Sequence, residues 1–143
     1  FPDSDLRESR NFFGVPAAKL GLGYAYDGIK RLMDLVGPSC AKEIFFTAKH
    51  FTAAEALRMG LINKVVPAAE LEATVRDYAE TIAGNAPLTV KAVKATVGEG
   101  VKNPDDRDLG MIERMVKACF DSADYIEGRT AFMEKRKAAF QGR

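Results

Sequence analysis

Residues 127–140, EGRTAFMEKRKAAF, hold the side chains whose types and spacing most suggest ligand chemistry. If this run continues as one helix, Phe132 and Arg136 lie near one face while Lys135 and Lys137 diverge from it, so an aromatic ring packs beside an ammonium group. That pairing would suit an adenine ring and a phosphate. The same composition is also typical of an amphipathic helix with core phenylalanines and a solvated, charged face. From these residues alone, both interpretations stand.

A second candidate is the glycine-containing loop in residues 13–28, FGVPAAKLGLGYAYDG. Glycines that precede a helix let backbone N–H groups approach an anion or a carbonyl oxygen. Gly21 and Gly23 match no phosphate-loop or dinucleotide fingerprint, because no Lys-Ser/Thr pair and no third glycine in register accompanies them. The loop therefore indicates either a backbone-lined binding site or simple turn glycines. For the other polar residues of the loop, we expect Tyr24 to be a packing ring and Asp27 to cap the next helix.

The remaining reactive side chains exclude several classes of site. Cys40 and Cys119 lie in apolar, helical-looking segments without a CxxC or Cys/His spacing, which is typical of core packing. The single histidine, His50, has no metal-type ligand beside it in the sequence. We therefore expect neither a metal site nor a Ser/His/Asp triad. With 21 Lys and Arg against 20 Asp and Glu, the chain also lacks the positive field that holds nucleic acids without sequence preference.

Length and composition are those of one globular domain. The chain has 143 residues, 47% of them hydrophobic and 29% charged, which is the balance of a folded, water-soluble protein. No apolar run approaches the ~20 residues that cross a bilayer, and the polar start FPDSDLRESR is unlike a secretion signal. We expect a cytoplasmic protein that does not span a membrane. Because the chain starts at Phe1 without Met, we also expect it to be part of a longer protein.

The sequence predicts many helices and few strands. Residues 1–11 indicate an irregular lead-in, residues 12–15 a short strand ended by Pro16, and residues 61–66, LINKVV, the best strand candidate. Such a chain has no sheet of its own. We therefore expect its helices to pack on a layer supplied from elsewhere.

Helices are predicted from apolar spacing, caps and breakers. In the first half they cover residues 28–36, ended by Gly37-Pro38, then 39–48, and then 53–59 with a Thr52/Glu55 capping box and a Gly60 stop. The next helix carries the stripe Leu71, Val75, Tyr78 and Ile82 and ends near residues 84–85. The last three are a helix from Pro87 to Val97, one from Pro104 that buries Leu109, Ile112, Val116, Cys119 and Phe120, and one from about residue 122.

Three segments in this order resemble the enoyl-CoA hydratase/isomerase family, also called the crotonase superfamily. They are FGVPAAKLGLGYAYDGIKRLMDLVG, AKEIFFTAKHFTAAEALRMGLINKVVP and EGRTAFMEKRKAAF, and the resemblance runs from about Phe12 to the C-terminus. It implies the α/β crotonase-like (ClpP/crotonase) fold, of which this chain covers the mostly helical C-terminal part with one or two short strands. Residues 12–66 then form the end of the crotonase-like core, and residues 67–143 a helical region for oligomerisation and coenzyme A contact.

The resemblance also implies site residues. Phe132 and Lys135 match the aromatic residue and the lysine that, in the family, help to hold the adenine and ribose phosphate of coenzyme A. Pro16, Ala17 and Gly21 fall in the substrate-binding loop. Family hydratases carry a catalytic glutamate directly after the proline, where this chain has Ala17, and an alanine cannot transfer a proton.

No catalytic residue of the family is matched in this chain. The second glutamate and the glycine-rich oxyanion-hole segment of the family precede the position of Phe13. Tyr24 and Asp27 are the nearest groups that could replace the lost glutamate, in competition with their structural roles. By this resemblance the chain alone would be inactive, while a longer parent could still be an enzyme.

The function that the resemblance implies is acyl-CoA chemistry. The leading hypothesis is an enoyl-CoA hydratase or isomerase of fatty acid metabolism that stabilises a thioester enolate and works as a homotrimer or hexamer. The alternative is a non-catalytic acyl-CoA-binding or assembly module that has lost the acid/base pair. The implied partner is an acyl-CoA thioester, with coenzyme A as part of the substrate and no separate cofactor or metal. RNA binding, a third hypothesis, is disfavoured by the near-zero net charge and the lack of a basic, aromatic sheet surface.

Overall fold

The computed structural model describes residues 12–143, and these are mostly helical. The chain divides into two compact units, one ending at Pro67 and the other beginning at Ala68, and each is described by itself. The predicted lead-in, residues 1–11, lies outside the described residues.

The described part of the first unit, residues 12–67, contains three helices. They are α1 (Ala17–Leu20), α2 (Tyr26–Thr47) and α3 (Ala53–Arg58). Helix α2 is kinked at Gly37, whose backbone angles of φ 77° and ψ 164° are not helical, so the predicted break at Gly37-Pro38 is confirmed. Val36, Ala41, Ile44 and Phe51 form the buried cluster on which the half-buried Cys40 packs, which confirms the core role predicted for this cysteine.

Within residues 12–67, extended structure is limited to one antiparallel bridge between Phe13 and Phe51, with N···O distances of 3.0 and 2.8 Å. Gly14 follows the bridge, and a Cβ atom at this position would come within 2.5 Å of the Lys49 carbonyl oxygen. The strand predicted over residues 12–15 is therefore reduced to a single paired residue. A close backbone approach, which only glycine permits, sets the path of the chain at this point.

The strand predicted over residues 61–66 is wrong. The N–H of Leu61 donates to the Ala56 carbonyl (2.9 Å) as part of the turn that ends α3, in which Gly60 has φ 77°. The β-branched residues that follow pair with no strand among residues 12–143. Strand propensity depends on cross-strand packing, and without a partner strand it does not produce an extended ladder.

Of the two helix caps predicted in the first unit, one is confirmed and one is wrong. Thr52 and Glu55 form the predicted capping box: the Glu55 N–H donates to Thr52 Oγ1 (3.3 Å), and the Thr52 N–H donates to Glu55 Oε2 (2.7 Å). The cap predicted at Asp27 is wrong. Helix α2 begins at Tyr26, the preceding Ala25 has no side-chain cap, and Asp27 lies inside the first turn.

The second unit contains four helices. They are α4 (Leu71–Ala83), α5 (Pro87–Gly100), α6 (Leu109–Phe120) and α7 (Ala123–Met133), with 3₁₀ turns at Ala68–Glu70 and Pro104–Asp106. Helix α5 packs on α6, and α6 contacts α7. The predicted start of α6 at Pro104 is wrong. Arg107 is extended, and Asp108 caps the helix by accepting a hydrogen bond from the Met111 N–H (2.7 Å).

Several apolar side chains of the second unit are exposed. The predicted stripe on α4, made of Leu71, Val75, Tyr78 and Ile82, lies on one helix as expected, but each of its members is at least half exposed. On α6, Leu109, Val116 and Phe120 are 60%, 41% and 59% exposed, so the prediction that they are buried is wrong. Within this unit, α5 and α7 cover only part of the apolar surface of α6. The second unit thus has more apolar surface than its own helices bury.

Two findings bear on classes of site. Among residues 12–143, no helix combines the length and the apolarity that crossing a bilayer requires. Over the same residues, no group of three or more His, Cys, Asp or Glu side chains is placed to hold a metal ion.

Candidate functional site

In the first unit, the structure brings Pro16, Ala17 and Gly21 together in one tight turn. Ala17 is the first residue of α1 and is buried, while Pro16 and Gly21 are exposed. Gly21 ends α1 with φ 62°, and its N–H donates to the Ala17 carbonyl. The Leu22 N–H donates to the same oxygen at 3.0 Å. The left-handed conformation at Gly21 explains the glycine at this position and fixes the turn that holds Ala17.

Tyr24 and Asp27 lie after this turn and differ in their surroundings. The Tyr24 ring packs edge-on against Phe45, with ring centroids 5.2 Å apart, and an added Cβ atom at Gly28 would stand 3.4 Å from the Tyr24 ring. It therefore has the packing role predicted for it. The exposed Asp27 carboxylate makes no hydrogen bond or ion pair with any residue of the described chain. Of the two groups that could replace the missing glutamate, only Asp27 is not engaged in local packing.

In the second unit, residues 127–140 do not continue as one helix. The helix stops at Met133, and the residues that follow turn back. The Lys135 N–H donates to the Phe132 carbonyl (3.2 Å), and the Arg136 N–H donates to the Ala131 carbonyl (3.0 Å). These two bonds define a Schellman motif, the helix ending that usually places glycine in the left-handed position. Here Lys135 occupies that position with φ 54°.

The turn at the end of α7 leaves Phe132 and Lys135 accessible. Phe132 is 82% exposed, although aromatic side chains are among those that most often lie in a core. Lys135 is also exposed, and its ammonium has no hydrogen-bond or ion-pair partner among the described residues. The two residues predicted to contact a ligand are thus neighbours in one backbone turn, with both side chains available to solvent.

Arg136 is held against α7 by the carboxylate of Glu127, which was not predicted as a site residue from the sequence. Its Nη1 and Nη2 donate to Glu127 Oε1 and Oε2 at 2.6 and 2.9 Å, and its Nε donates to Glu134 Oε2 at 2.6 Å. Glu127 also accepts the Ala139 N–H at 2.9 Å. The hydrogen bonds between Arg136 and Glu127 lower the pKa of Glu127 to about 2. The same bonds raise the pKa of Arg136. Both side chains are therefore charged at neutral pH.

The last residues of the chain are tied to the start of α7. The buried Asp124 carboxylate accepts the N–H groups of Gln141 and Gly142, each at 2.7 Å, and the Asp124 N–H donates to the Arg143 carbonyl at 3.2 Å. The Phe140 ring lies against Gly128, where an added Cβ atom would stand 3.4 Å from the ring. The C-terminal segment therefore runs back along α7 and is anchored on the first half of that helix.

A cavity of about 440 Å³ also lies in the second unit. Its wall is mainly apolar, with contributions from Ala92, Val93, Val116, Phe120, Tyr125 and Phe140. The buried polar groups in the wall are already paired, because Ser122 Oγ donates to the Cys119 carbonyl (2.7 Å) and accepts the Tyr125 N–H (3.1 Å), and Asp124 binds the C-terminal segment. The cavity is therefore unsuited to phosphates. The free ammonium of Lys135 is a better partner for such a group.

Comparison with known proteins decides the family. The model of the family described as enoyl-CoA hydratase/isomerase matches residues 5–143. The chain belongs to the enoyl-CoA hydratase/isomerase family.

The similarity of this family member to its relatives extends over nearly its whole length. A crotonyl-CoA hydratase of Syntrophomonas wolfei is 40% identical over 138 residues, covering 96% of this chain and 53% of that protein. Methylmalonyl-CoA decarboxylase of Escherichia coli is 37% identical over 143 residues, covering 98% of this chain and 54% of that protein. A solved structure of an enoyl-CoA hydratase/isomerase family protein from Hyphomonas neptunium aligns with a TM-score of 0.77 and 33% identity, over 94% of this chain and 51% of that one.

The family resemblance and the fold predicted from it are confirmed. The chain has the mostly helical C-terminal part of the crotonase fold and spans about half the length of the curated relatives it matches. By their names, a hydratase and a decarboxylase of CoA thioesters are both among these relatives. Members of one family thus carry out different reactions, because the individual reaction depends on side chains that differ between members.

Proposed function

We propose that this protein binds an acyl-CoA thioester and contributes the exposed turn after α7 to the coenzyme A contact. The observation that carries the proposal is the pair formed by Phe132 and Lys135. The Phe132 ring is 82% exposed, and the Lys135 ammonium has no partner among the described residues. The two residues are joined by one backbone hydrogen bond. A large exposed aromatic side chain favours a ligand with a flat face. An unpaired ammonium beside it favours a phosphate.

The reaction proposed for the full-length parent is hydration or isomerisation of an enoyl-CoA through an enolate. Such chemistry needs backbone N–H donors aimed at the thioester oxygen, and removal of one donor of this kind typically costs ~3–4 kcal/mol of transition-state stabilisation. It also needs a group that moves a proton at the reacting carbons. Ala17 is buried and carries only a methyl group, so it can shape the substrate pocket but cannot move the proton. Asp27 is the better candidate in this chain, because its carboxylate is exposed and has no partner among the described residues.

A second candidate function is non-catalytic binding of acyl-CoA. The specific observation in its favour is Ala17, which stands where hydratases of the family carry a catalytic glutamate. A protein that kept the binding turn after α7 and lost the proton-transfer group would still hold the thioester. It would serve as a binding or assembly module and would turn over no substrate.

Titration calorimetry of the chain with coenzyme A tests the binding proposal. Phe132→Ala should weaken binding roughly tenfold or more, because an aromatic ring stacked on a base contributes about 1–3 kcal/mol. Lys135→Ala should weaken it by a similar factor through loss of a charge-assisted contact. Lys137→Ala is the matched control, since it removes an exposed lysine two positions away. Equal affinity in all four proteins would contradict the proposal.

Assay of the full-length parent with crotonyl-CoA separates the two functions. Rapid hydration that is lost on Asp27→Asn, with the fold unchanged, would assign the proton-transfer role to that carboxylate. Coenzyme A binding without detectable turnover would favour the non-catalytic module.

A further inference from the structure

The backbone at Lys135 adopts a conformation that its side chain disfavours. Among the described residues, only Ala48 and Lys135 are non-glycine residues with positive φ. Glycine is the usual residue at this position of a Schellman motif, because a Cβ atom crowds the backbone in the left-handed region. A strained residue persists where its surroundings over-determine it, and such residues concentrate at functional sites.

The restraint on Lys135 comes from the residues on both sides of it. Glu134 and Arg136 are bonded to each other through Oε2 and Nε (2.6 Å), so the side chains before and after Lys135 are linked. The Arg136 guanidinium is then fixed on α7 by the two-pronged contact with Glu127, nine positions earlier. Arg136 also supplies the backbone N–H that closes the Schellman motif on Ala131. We call this set, Glu127, Glu134 and Arg136, the Arg136 latch.

The Arg136 latch has a chemical consequence besides its mechanical one. The guanidinium of Arg136 is occupied by two carboxylates, so it is not available to an incoming anion. Lys135, held between two of the latch residues, keeps an ammonium that pairs with none of the described residues. The latch therefore removes Arg136 from the run of basic residues 135–137 and leaves the Lys135 ammonium available at a fixed place in the turn.

We propose that Glu127 and Arg136 are positioning residues, which hold Lys135 in the left-handed conformation so that its ammonium meets the ribose phosphate of coenzyme A. This inference rests on the proposed function. The Glu127–Arg136 ion pair then has a role in ligand recognition in addition to its role in ending α7. Neither residue touches the ligand, and both act through the backbone of Lys135.

The test compares coenzyme A with dephospho-coenzyme A, which lacks the ribose 3′-phosphate, by titration calorimetry on the full chain. The measured quantity is the ratio of the two dissociation constants. For the wild-type chain we expect coenzyme A to bind about tenfold more tightly, the usual size of one charge-assisted contact. In Lys135→Ala the ratio should fall to near one, and in the Lys137→Ala control it should stay at the wild-type value.

Two conservative variants probe the latch itself. Arg136→Lys keeps the charge and loses the two-pronged geometry, and Glu127→Gln keeps the shape and loses the charge. Both should reduce the ratio most of the way to one, while the affinity for dephospho-coenzyme A changes little. A purely structural role would instead weaken the binding of both ligands by the same factor and leave the ratio unchanged. That result in both variants would overturn the inference.

The outcomes for the wild-type chain separate this inference from the function on which it rests. A chain that binds neither ligand would overturn the proposed function. A chain that binds both ligands equally would leave acyl-CoA binding in place and overturn the phosphate contact of Lys135, and with it the positioning role of the latch. Far-ultraviolet circular dichroism of each variant shows whether the helices are retained.

Discussion

Replacing Lys135 with glycine should stabilise the chain while weakening coenzyme A binding. Lys135 has φ 54°, a region that costs a residue with a Cβ atom roughly 1–2 kcal/mol and costs glycine almost nothing. Glycine has more conformational freedom in the unfolded chain, which offsets about 0.4–1 kcal/mol of the gain. The free energy of unfolding should therefore rise by ~0.5–1 kcal/mol. For a chain of 143 residues, this corresponds to a Tm higher by roughly 2–4 °C.

Thermal unfolding followed by circular dichroism measures the change in Tm, and titration calorimetry measures the change in affinity for coenzyme A. Lys137→Gly is the matched control, because Lys137 does not have positive φ and its replacement relieves no strain. We expect that control to lower Tm slightly and to leave coenzyme A binding unchanged. A lower Tm for Lys135→Gly than for Lys137→Gly would refute the reasoning from backbone strain. Wild-type affinity in Lys135→Gly would refute the ligand contact.

Three further predictions concern acid stability, catalysis and assembly. The pKa of Glu127 is lowered from 4.5, its value in the unfolded chain, to about 2 in the folded chain. The ionised Glu127 carboxylate therefore stabilises the fold fully above pH 4.5, and this stabilisation is lost as pH falls through about 2. In urea unfolding, the stability difference between wild type and Glu127→Gln should shrink steadily as pH falls from 4.5 to about 2, and a difference that keeps its neutral-pH size at pH 2 would contradict the assignment. In the full-length parent, Ala17→Glu should raise the hydration of crotonyl-CoA by ~10²–10⁴-fold if a proton-transfer group is what is missing, whereas Ala18→Glu, at the exposed neighbouring position, should not. Light scattering should show an oligomer, because the exposed apolar stripe of α4 favours association, and a stable monomer at micromolar concentration would count against this.

The features predicted correctly from the sequence depend on residues that are close together along the chain. The Thr52/Glu55 capping box spans three positions, and both partners are visible in the sequence before any tertiary contact forms. Pro87 at the start of α5 and the break at Gly37 are equally local, because proline and glycine restrict or permit backbone angles by themselves. The family resemblance, including the alanine at position 17, is also a property of ordered residues and needed no coordinates.

Two of the wrong predictions, the strand over residues 61–66 and the buried face of α6, share one cause, which is the lack of a packing partner from elsewhere in the chain. Residues 61–66 have strand-forming side chains, but a strand needs a neighbour, and none of the described residues supplies one. Leu109 and Phe120 have the spacing of a buried helix face, yet burial depends on which helices cover that face. Periodicity identifies the apolar side of an element and carries no information about what packs against it.

In the candidate site, too, some features are visible in the local sequence and others depend on contacts between distant residues. That Phe132 and Lys135 have a spacing that suits a ring and a phosphate is visible in the sequence alone. The end of α7 at Met133 and the left-handed position of Lys135 are visible only in the folded chain, since no glycine marks the helix end there. The Glu127–Arg136 contact joins residues nine positions apart across a chain reversal, and the Asp124 anchor joins residues 17 and 18 positions apart. A periodic pattern reports neighbours within one or two helical turns, whereas these contacts form only after the chain has folded back on itself.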